Sequence, residues 1–260
     1  ETDCRPGDFR LYNARVQFCI AGETSITSMV YSGGQLIDAD FVGEANDRFF
    51  FLGPQNQMNL AGANQVRVLD DGRRTTDDGQ TIAAVVEVTG AEETLKIIDD
   101  YVGELFPSIG VSFTTEYRLY PDVDWLEIVT WVRAEGTSRG LDAGDLLMFG
   151  DTTRGFRPGF GGESPQQSAY AWFAGYGHGR SYALYRADGL QDGFIGLEGL
   201  LDFPASLVTS AQGRVPEGNE GAYRRYFIVG NGGTDSIRMG IVSIENSEPP
   251  EGGVDVLTAT

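Results

Sequence analysis

Residues 111–132, VSFTTEYRLYPDVDWLEIVTWV, constrain the fold of this chain more than any other segment. They read as two strands joined by a tight turn at Pro121–Asp124. Folding the arms about that turn creates one apolar face, with these pairs: Leu119 and Leu126, Tyr117 and Ile128, Thr115 and Thr130, Phe113 and Val132. The opposite face has its own pairs: Tyr120 and Trp125, Arg118 and Glu127, Thr114 and Trp131. Strict alternation with matched partners predicts an antiparallel hairpin within a large sheet.

Comparable strand-like runs recur along the chain, separated by turn sequences such as Gly33-Gly34 and Asp188-Gly189. We predict strands at Phe9–Ile20, Ile26–Tyr31, Gln35–Val42, Arg48–Leu52, Gln65–Leu69, Thr81–Thr89, Asp145–Phe149, Ser168–Phe173, Arg180–Arg186, Gly193–Leu197, Ser206–Ala211, Tyr223–Val229 and Ser236–Ser243. Many short strands with turn signals between them indicate an all-β sandwich or barrel. Helical spacing occurs only at Glu92–Leu105, which could equally be a strand.

The length of 260 residues and the 41% hydrophobic content suit one large β domain. We expect residues 1–245 to form this single domain. Residues 246–253, NSEPPEGG, are polar and rich in Pro and Gly, which predicts a linker. Residues 254–260 then begin a new apolar-polar alternation. This predicts the start of a following module or an extended C-terminal arm.

The formal net charge of −19 excludes the basic surface that nucleic-acid binding requires, and it disfavours an anionic membrane surface. No apolar run is long enough for a membrane span, so we predict no membrane insertion. Cys4 and Cys19 could form a disulfide or remain two free thiols. A disulfide would imply an oxidising compartment. From the candidate disulfide we therefore expect an exported protein, extracellular or at the cell surface. The sequence shows no signal peptide and begins at Glu-Thr-Asp-Cys, as a mature or trimmed product would.

Sequence motifs for catalysis are missing. A Ser-His-Asp or Cys-His site needs a histidine as general base. The single histidine here is His178, and it lies in a glycine-flanked loop. The sequence contains no G-x-S-x-G elbow and no phosphate-binding glycine loop before Lys96. Glu116 and Glu127 share a hairpin face, as paired carboxylates would for glycoside hydrolysis. Arg118 should face Glu127 and keep it ionised. We therefore predict no catalytic residue.

An aromatic and glycine-rich segment is the strongest candidate for ligand contact. Residues 170–185 read YAWFAGYGHGRSYALY, after the glycine-rich residues 150–162. Glycine lets a ligand approach the backbone closely, and Trp and Tyr rings suit stacking on sugars. The predicted glycan-contact residues are Asp151, Arg154, Trp172, Tyr176, His178 and Arg180. The alternative is that this segment alternates into the core and that its core side chains are Trp172, Tyr182 and Tyr185. A second candidate surface comprises Tyr120, Trp125 and Trp131.

Calcium is the one cofactor that the sequence suggests. Asp122 and Asp124 bracket the hairpin turn, and carboxylate oxygens in loops are ligands that calcium prefers. The alternative is that these are ordinary turn residues, because an Asp side chain bonds to the local backbone.

Three segments carry a family resemblance: SGGQLIDADFV at 32–42, TTEYRLYPDVDWLEIVTWV at 114–132 and YRRYFIVGNGG at 223–233. Together they resemble the N-terminal β domain of exported bacterial proteins that carry a PHP-type metallohydrolase domain further on. That module resembles the supersandwich of galactose mutarotase-like and carbohydrate-processing families. The resemblance implies an all-β supersandwich of large antiparallel sheets with at most one short helix, and an accessory role. Mutarotases use several histidines, and none of their catalytic motif matches here.

These observations predict a non-catalytic extracellular module that binds glycan or packs against neighbouring domains or subunits. One alternative is a structural subunit of a bacterial surface layer or filament, in which Val254–Ala259 would add to a neighbour's sheet. Another is a carbohydrate-active lyase or hydrolase with carboxylate or tyrosine acid-base chemistry.

Overall fold

The computed structural model describes residues 4–27, 30–44, 48–56, 59–73, 83–96, 108, 110–134, 139–150, 153–159, 168–187, 191–196, 205–215 and 220–247. Within these ranges the chain is an antiparallel β protein with a 16-stranded sheet, which confirms the predicted fold class. Of the predicted linker (246–253) and following module or arm (254–260), only Asn246 and Ser247 lie within these ranges.

The strands, numbered in chain order, are β1 (Phe9–Tyr12), β2 (Val16–Ile20), β3 (Leu36–Phe41), β4 (Phe49–Asn56), β5 (Asn59–Asp71), β6 (Ala84–Glu93), β7 (Val111–Leu119), β8 (Trp125–Ala134), β9 (Arg139–Phe149), β10 (Arg154–Phe156), β11 (Ser168–Tyr170), β12 (Trp172–Gly177), β13 (Arg180–Tyr185), β14 (Gln191–Gly196), β15 (Ala205–Val215) and β16 (Glu220–Gly230). A helix, α1 (Thr234–Glu245), follows β16.

The sheet forms two layers that pack face to face. The front layer has the order β10-β12-β13-β16-β8-β7-β6-β5, and the back layer continues through β4-β9-β15-β14-β11, with β1, β2 and β3 attached beside β4. Aromatic rings meet between the layers: the Phe49 ring lies 4.7 Å from Phe227 and 5.8 Å from Tyr182, between centroids. This inter-layer core is the largest cluster of buried apolar side chains among the described residues.

The hairpin at 111–132 has the predicted register. Thr114 is opposite Trp131, Tyr117 is opposite Ile128, and Arg118 is opposite Glu127. Side chains of β7 alternate between buried and partly exposed along its whole length. The alternation was readable because one face of each arm packs into the core while the other does not.

The predicted strand at Ser236–Ser243 is wrong, since these residues belong to α1. Ile237, Ile241 and Ile244 are its buried residues, and their spacing of four and three matches a helical stripe. The stripe packs on the outer face of the front layer, against Trp125 and Ile228 among others. No helix in the described ranges has the length and apolar character needed to cross a membrane.

Two further strand predictions need correction near the N-terminus. The run Phe9–Ile20 divides into β1 and β2, because the Asn13 side-chain oxygen accepts hydrogen bonds from the backbone N–H groups of Arg15 and Val16 and so forms a turn. The described residues of Ile26–Tyr31 belong to no strand. There, the backbone N–H of Val30 donates to the Thr27 hydroxyl instead of a neighbouring strand.

A fully buried ion pair joins the two layers. Arg225 on β16 donates from Nη2 to Asp145 Oδ1 on β9 at 2.5 Å, and from Nη1 to the Thr130 hydroxyl at 2.6 Å. The Arg225 guanidinium also lies 4.4 Å from the centre of the Tyr223 ring. Burial is the largest single effect on the pKa of Arg225 and acts to lower it, but the charge and hydrogen bond of Asp145, together with Tyr223 and Tyr117, raise the pKa overall. The guanidinium therefore stays charged between the layers.

Breaking this pair should destabilise the domain strongly. Asp145→Asn leaves the Arg225 charge buried without its counter-charge, so we expect the free energy of unfolding to fall by about 3–5 kcal/mol. Urea denaturation followed by circular dichroism measures this loss. Arg67→Ala is the matched control, because its pair with Glu87 at 2.7 Å is half exposed on the arginine side and should contribute about 1 kcal/mol or less. Equal losses in both variants would contradict this assignment.

The predicted disulfide between Cys4 and Cys19 is present, with a Cα–Cα distance of 5.6 Å. Cys19 is buried on β2, so the bond attaches the N-terminal segment to the back layer.

Replacing both cysteines by serine should lower the free energy of unfolding by about 3 kcal/mol, because the unfolded chain regains the entropy of the open loop. Urea denaturation of the double variant measures the change. Alkylation followed by mass measurement should label no thiol in the native protein unless a reductant is added. An unchanged urea midpoint would rule out this stabilising role.

Candidate ligand-binding surface

Side chains on the outer face of the front layer line up in rows across neighbouring strands. One row contains Ala222, Trp131, Thr114, Thr89 and Gln65. The next contains Arg224, Val129, Glu116, Glu87 and Arg67. A third contains Tyr226, Glu127, Arg118 and Val85. The antiparallel register thus brings aromatic, hydroxyl and charged groups from β5, β6, β7, β8 and β16 onto one surface.

Four ionic side chains, Glu116, Arg118, Glu127 and Arg224, form what we call the charged platform. Glu127 is only 1% exposed and is flanked by two guanidinium groups. Its Oε2 lies 3.6 Å from Arg118 Nη1, and its Oε1 lies 3.1 Å from Arg224 Nε. Arg118 Nη2 also lies 2.6 Å from Glu116 Oε2. The two carboxylates and two guanidinium groups balance one another, so the platform carries no net charge.

Tyr120 closes one side of the platform. Its hydroxyl donates to Glu127 Oε2 at 2.9 Å. Burial raises the pKa of Tyr120, and the negative charge of Glu127 raises it further. For Arg118, burial acts to lower the pKa, but the hydrogen bond to Glu116 and nearby charges raise it overall. Tyr120 is therefore a neutral donor, and Arg118 is a permanent cation.

Trp131 borders the platform on the other side. Its ring is partly exposed, and its centre lies 6.0 Å from the guanidinium carbon of Arg118. Beside it is an open cavity of about 270 Å³ lined by Asn64, Thr89, Ser112, Thr114, Trp131 and Arg133, among others. An apolar ring next to hydroxyl, amide and guanidinium groups can hold a ligand that has both an apolar face and hydrogen-bonding groups.

The predicted glycan-contact residues in and before the segment 170–185 do not form one surface in the structure. Arg154 and Tyr176 are opposite each other on β10 and β12. His178 is exposed in the turn that follows, with a φ of 50°. These three residues therefore lie at one edge of the front layer. Asp151 lies outside the described residues.

Trp172 and Arg180 are engaged within the protein. Trp172 is 8% exposed, and its ring stacks on Phe156 with 5.1 Å between centroids. Arg180 is buried, where its Nε donates to Asp40 Oδ1 at 2.9 Å and its guanidinium also pairs with Glu44. Tyr182 and Tyr185 are also buried, as the alternative predicted, but on opposite faces: Tyr182 lies in the core between the layers, whereas Tyr185 packs beneath α1 with Trp172.

The second predicted surface is also divided. Trp125 is 5% exposed and packs beneath α1, with its ring 5.4 Å from Tyr226 and 5.6 Å from Tyr120. Tyr120 reaches the platform through its hydroxyl. Only Trp131 presents a partly exposed indole ring beside the platform.

Among the described residues, the predicted calcium ligands Asp122 and Asp124 do not form a group with further metal-ligating side chains. Asp124 Oδ1 lies 2.7 Å from Arg15 Nε, while Asp122 is exposed with a φ of 59°. Burial raises the pKa of Asp124, and the Arg15 charge opposes that change. Across the part of the chain that the structure describes, no three His, Cys, Asp or Glu side chains come together as a metal site. Calcium binding at this turn stays a prediction.

Sequence reasoning missed Arg224 and the polar side chains around Trp131. Arg224 was within a predicted strand, but nothing in the sequence paired that strand with β8. The alternation in YRRYFIV was the available signal, because it places Arg224 and Arg225 on opposite faces. Thr89 and Asn64 join the surface only through the pairing of β5, β6 and β7.

No protein-family model matches the sequence, and a search of curated proteins finds no match either. Solved structures show similarity in fold. One is a GH36 α-galactosidase from Geobacillus stearothermophilus, with a TM-score of 0.52, 9% identity, and coverage of 90% of this chain and 42% of that one. Another is the galactosidase domain of an α-galactosidase-sucrose kinase, with a TM-score of 0.50, 7% identity, and coverage of 92% and 43%. The chain thus spans less than half the length of either.

Trp131 should be the tryptophan that reagents in solution reach first. Trp125 and Trp172 are buried, so acrylamide should quench their fluorescence weakly, while Trp131 is partly exposed. Quenching constants of three variants, each with one tryptophan replaced by phenylalanine, measure this order. Trp131→Phe should remove most of the quenchable emission. An equal reduction from Trp125→Phe or Trp172→Phe would contradict the assigned exposure.

Proposed function

We propose that this chain is a non-catalytic, exported module that binds glycan on the surface formed by Trp131 and the charged platform. The partly exposed Trp131 ring, adjoining the polar cavity, is the observation that carries the proposal. A sugar ring has apolar C–H faces that stack on an indole and hydroxyl groups that hydrogen-bond at its rim. The hydroxyls of Thr89 and Thr114 and the guanidinium of Arg133 line the adjoining cavity, where such bonds would form.

The ionic pairing of the platform supports a binding role over catalysis. A glycosidase needs one carboxylic acid that can give a proton and one carboxylate that is free to act. Glu127 is flanked by Arg118 and Arg224, and Glu116 is hydrogen-bonded by Arg118. Tyr120 has a raised pKa and is a poor base near neutral pH. We therefore assign these groups to hydrogen bonding and positioning.

Export is proposed from the disulfide, because such bonds persist in oxidising compartments. The similar solved structures are galactosidases, so galactose-containing oligosaccharides are the first ligands to test. An accessory position beside another domain, such as a PHP-type metallohydrolase, belongs to the same proposal. Packing against a neighbouring domain through the platform is its runner-up, and a surface-layer or filament role would use residues 254–260, outside the described residues.

Glycan binding should depend on the indole of Trp131. Trp131→Ala removes the stacking surface, so we expect affinity for any bound oligosaccharide to fall by about tenfold or more, which is about 1.4 kcal/mol. Isothermal titration with the oligosaccharides that score on a glycan array measures the change.

Tyr12→Ala is the matched control, because Tyr12 is an exposed aromatic residue (65%) on β1, outside the platform. It should bind like the unaltered protein. If the array shows no binding, or if Trp131→Ala binds as well as Tyr12→Ala, the platform is not a glycan site. Packing against a neighbouring domain would then become the better proposal.

A further inference from the structure

A second cavity lies at the end of the sandwich, separate from the charged platform. It has a volume of about 370 Å³, which is in the usual range for small-molecule sites. Its walls come from the end of β3, the hairpin turn, the end of β16 and one side of α1. They include Arg15, Phe41, Asp124, Trp125, Met239 and Ser243. The cavity shares no residue with the platform.

The buried indole of Trp125 gives this cavity a specific chemical feature. Trp125 is 5% exposed, and among the described residues its Nε1–H has no hydrogen-bond acceptor. Buried Trp N–H groups usually have a partner, because an unpaired buried donor destabilises the fold. The ring is held by Tyr120 and Tyr226, so the side chain is positioned firmly while its donor is unused. An acceptor from a bound ligand would satisfy it.

The remaining walls define the character of such a ligand. Phe41, Val123 and Val229 supply apolar surface. The ion pair between Arg15 and Asp124 supplies both donors and acceptors at the rim. The Asp124 charge and the net charge of −19 disfavour an anion, while Arg15 disfavours a cation. A ligand with hydroxyl groups matches this set, because each hydroxyl both donates and accepts.

We infer that this cavity binds a neutral, polyhydroxylated ring of monosaccharide size. One ligand oxygen accepts the hydrogen bond from Trp125 Nε1–H, and other hydroxyls bond with Asp124 and Arg15. An apolar face of the ring packs against Phe41. The site stands independently of the proposed platform, because Trp125 and Trp131 are six positions apart on β8, or about 20 Å along an extended strand.

Nuclear magnetic resonance can observe the two sites separately. The protein has three tryptophans, so its ¹⁵N spectrum should contain three indole N–H signals, which the single Trp→Phe variants assign. Titration with the methyl glycosides of galactose, glucose and mannose should shift the Trp125 signal for at least one of them. Glucuronate at equal concentration should shift that signal less, because its carboxylate meets Asp124.

Two variants test the contacts, with saturation-transfer signals of the bound glycoside as the readout. Trp125→Phe keeps a ring but removes the N–H donor, so binding should weaken by about fivefold, as for loss of one hydrogen bond. Ser243→Leu places a larger side chain at the cavity wall and should abolish binding. Val242→Leu is the matched control, since Val242 is exposed on the same helix outside the cavity wall.

The outcomes distinguish this site from the platform. A shift of the Trp125 signal that Ser243→Leu removes and Val242→Leu retains supports the cavity, whatever Trp131 does. A shift of the Trp131 signal alone supports the platform and overturns the cavity proposal. Tighter binding of glucuronate than of every neutral glycoside, or no shift of the Trp125 signal up to the solubility limit, also overturns it.

Discussion

The fold depends on the buried ion pair between Arg225 and Asp145, because it fixes which side of β16 faces the core. Side chains alternate along a strand, so an inward Arg225 requires an outward Arg224. Arg224 then lies 3.1 Å from Glu127 on the outer face. If β16 slipped by one residue, Arg224 would face the core in place of Arg225. The ion pair with Asp145 and the hydrogen bond to Thr130 would then be lost. One internal interaction thus sets the register that assembles the charged platform, and we advance this as a hypothesis of specificity rather than of net stability.

Sequence reasoning predicted the hairpin in detail because its two faces differ from each other in polarity. Leu126 and Ile128 alternate with Glu127, and the partner strand repeats the pattern, so register followed from matching the faces. The same reasoning failed at α1. Ile237, Ile241 and Ile244 share a helical face, but Met239 and Val242 are exposed and apolar, which obscured the helical stripe. Short apolar runs are ambiguous in this way, since helix and strand periods diverge only over longer stretches.

The candidate site was predictable only in part, and the reason is geometric. Trp125 and Trp131 are six residues apart on one strand, so alternation places both on the outer face. It cannot say which part of that face another element covers. In the folded protein α1 packs over Trp125 and Ile228, whereas Trp131 is next to Arg118 and an open cavity. Likewise, nothing in the local sequence shows that Arg225 turns inward to Asp145, because that partner lies 80 positions away.

Helix α1, which sequence reasoning did not predict, therefore decides which part of the outer face is covered and which part stays accessible. Its apolar stripe covers the rows around Ile228 and Tyr226, and its last residue, Glu245, accepts a hydrogen bond from the Tyr185 hydroxyl at 3.0 Å. In the row that starts with Tyr226, the next side chains are Glu127 and Arg118, which belong to the platform. The boundary between packed and accessible surface thus runs through a single row. The same helix forms one wall of the cavity beside Trp125, so its position limits the platform on one side and shapes that cavity on the other.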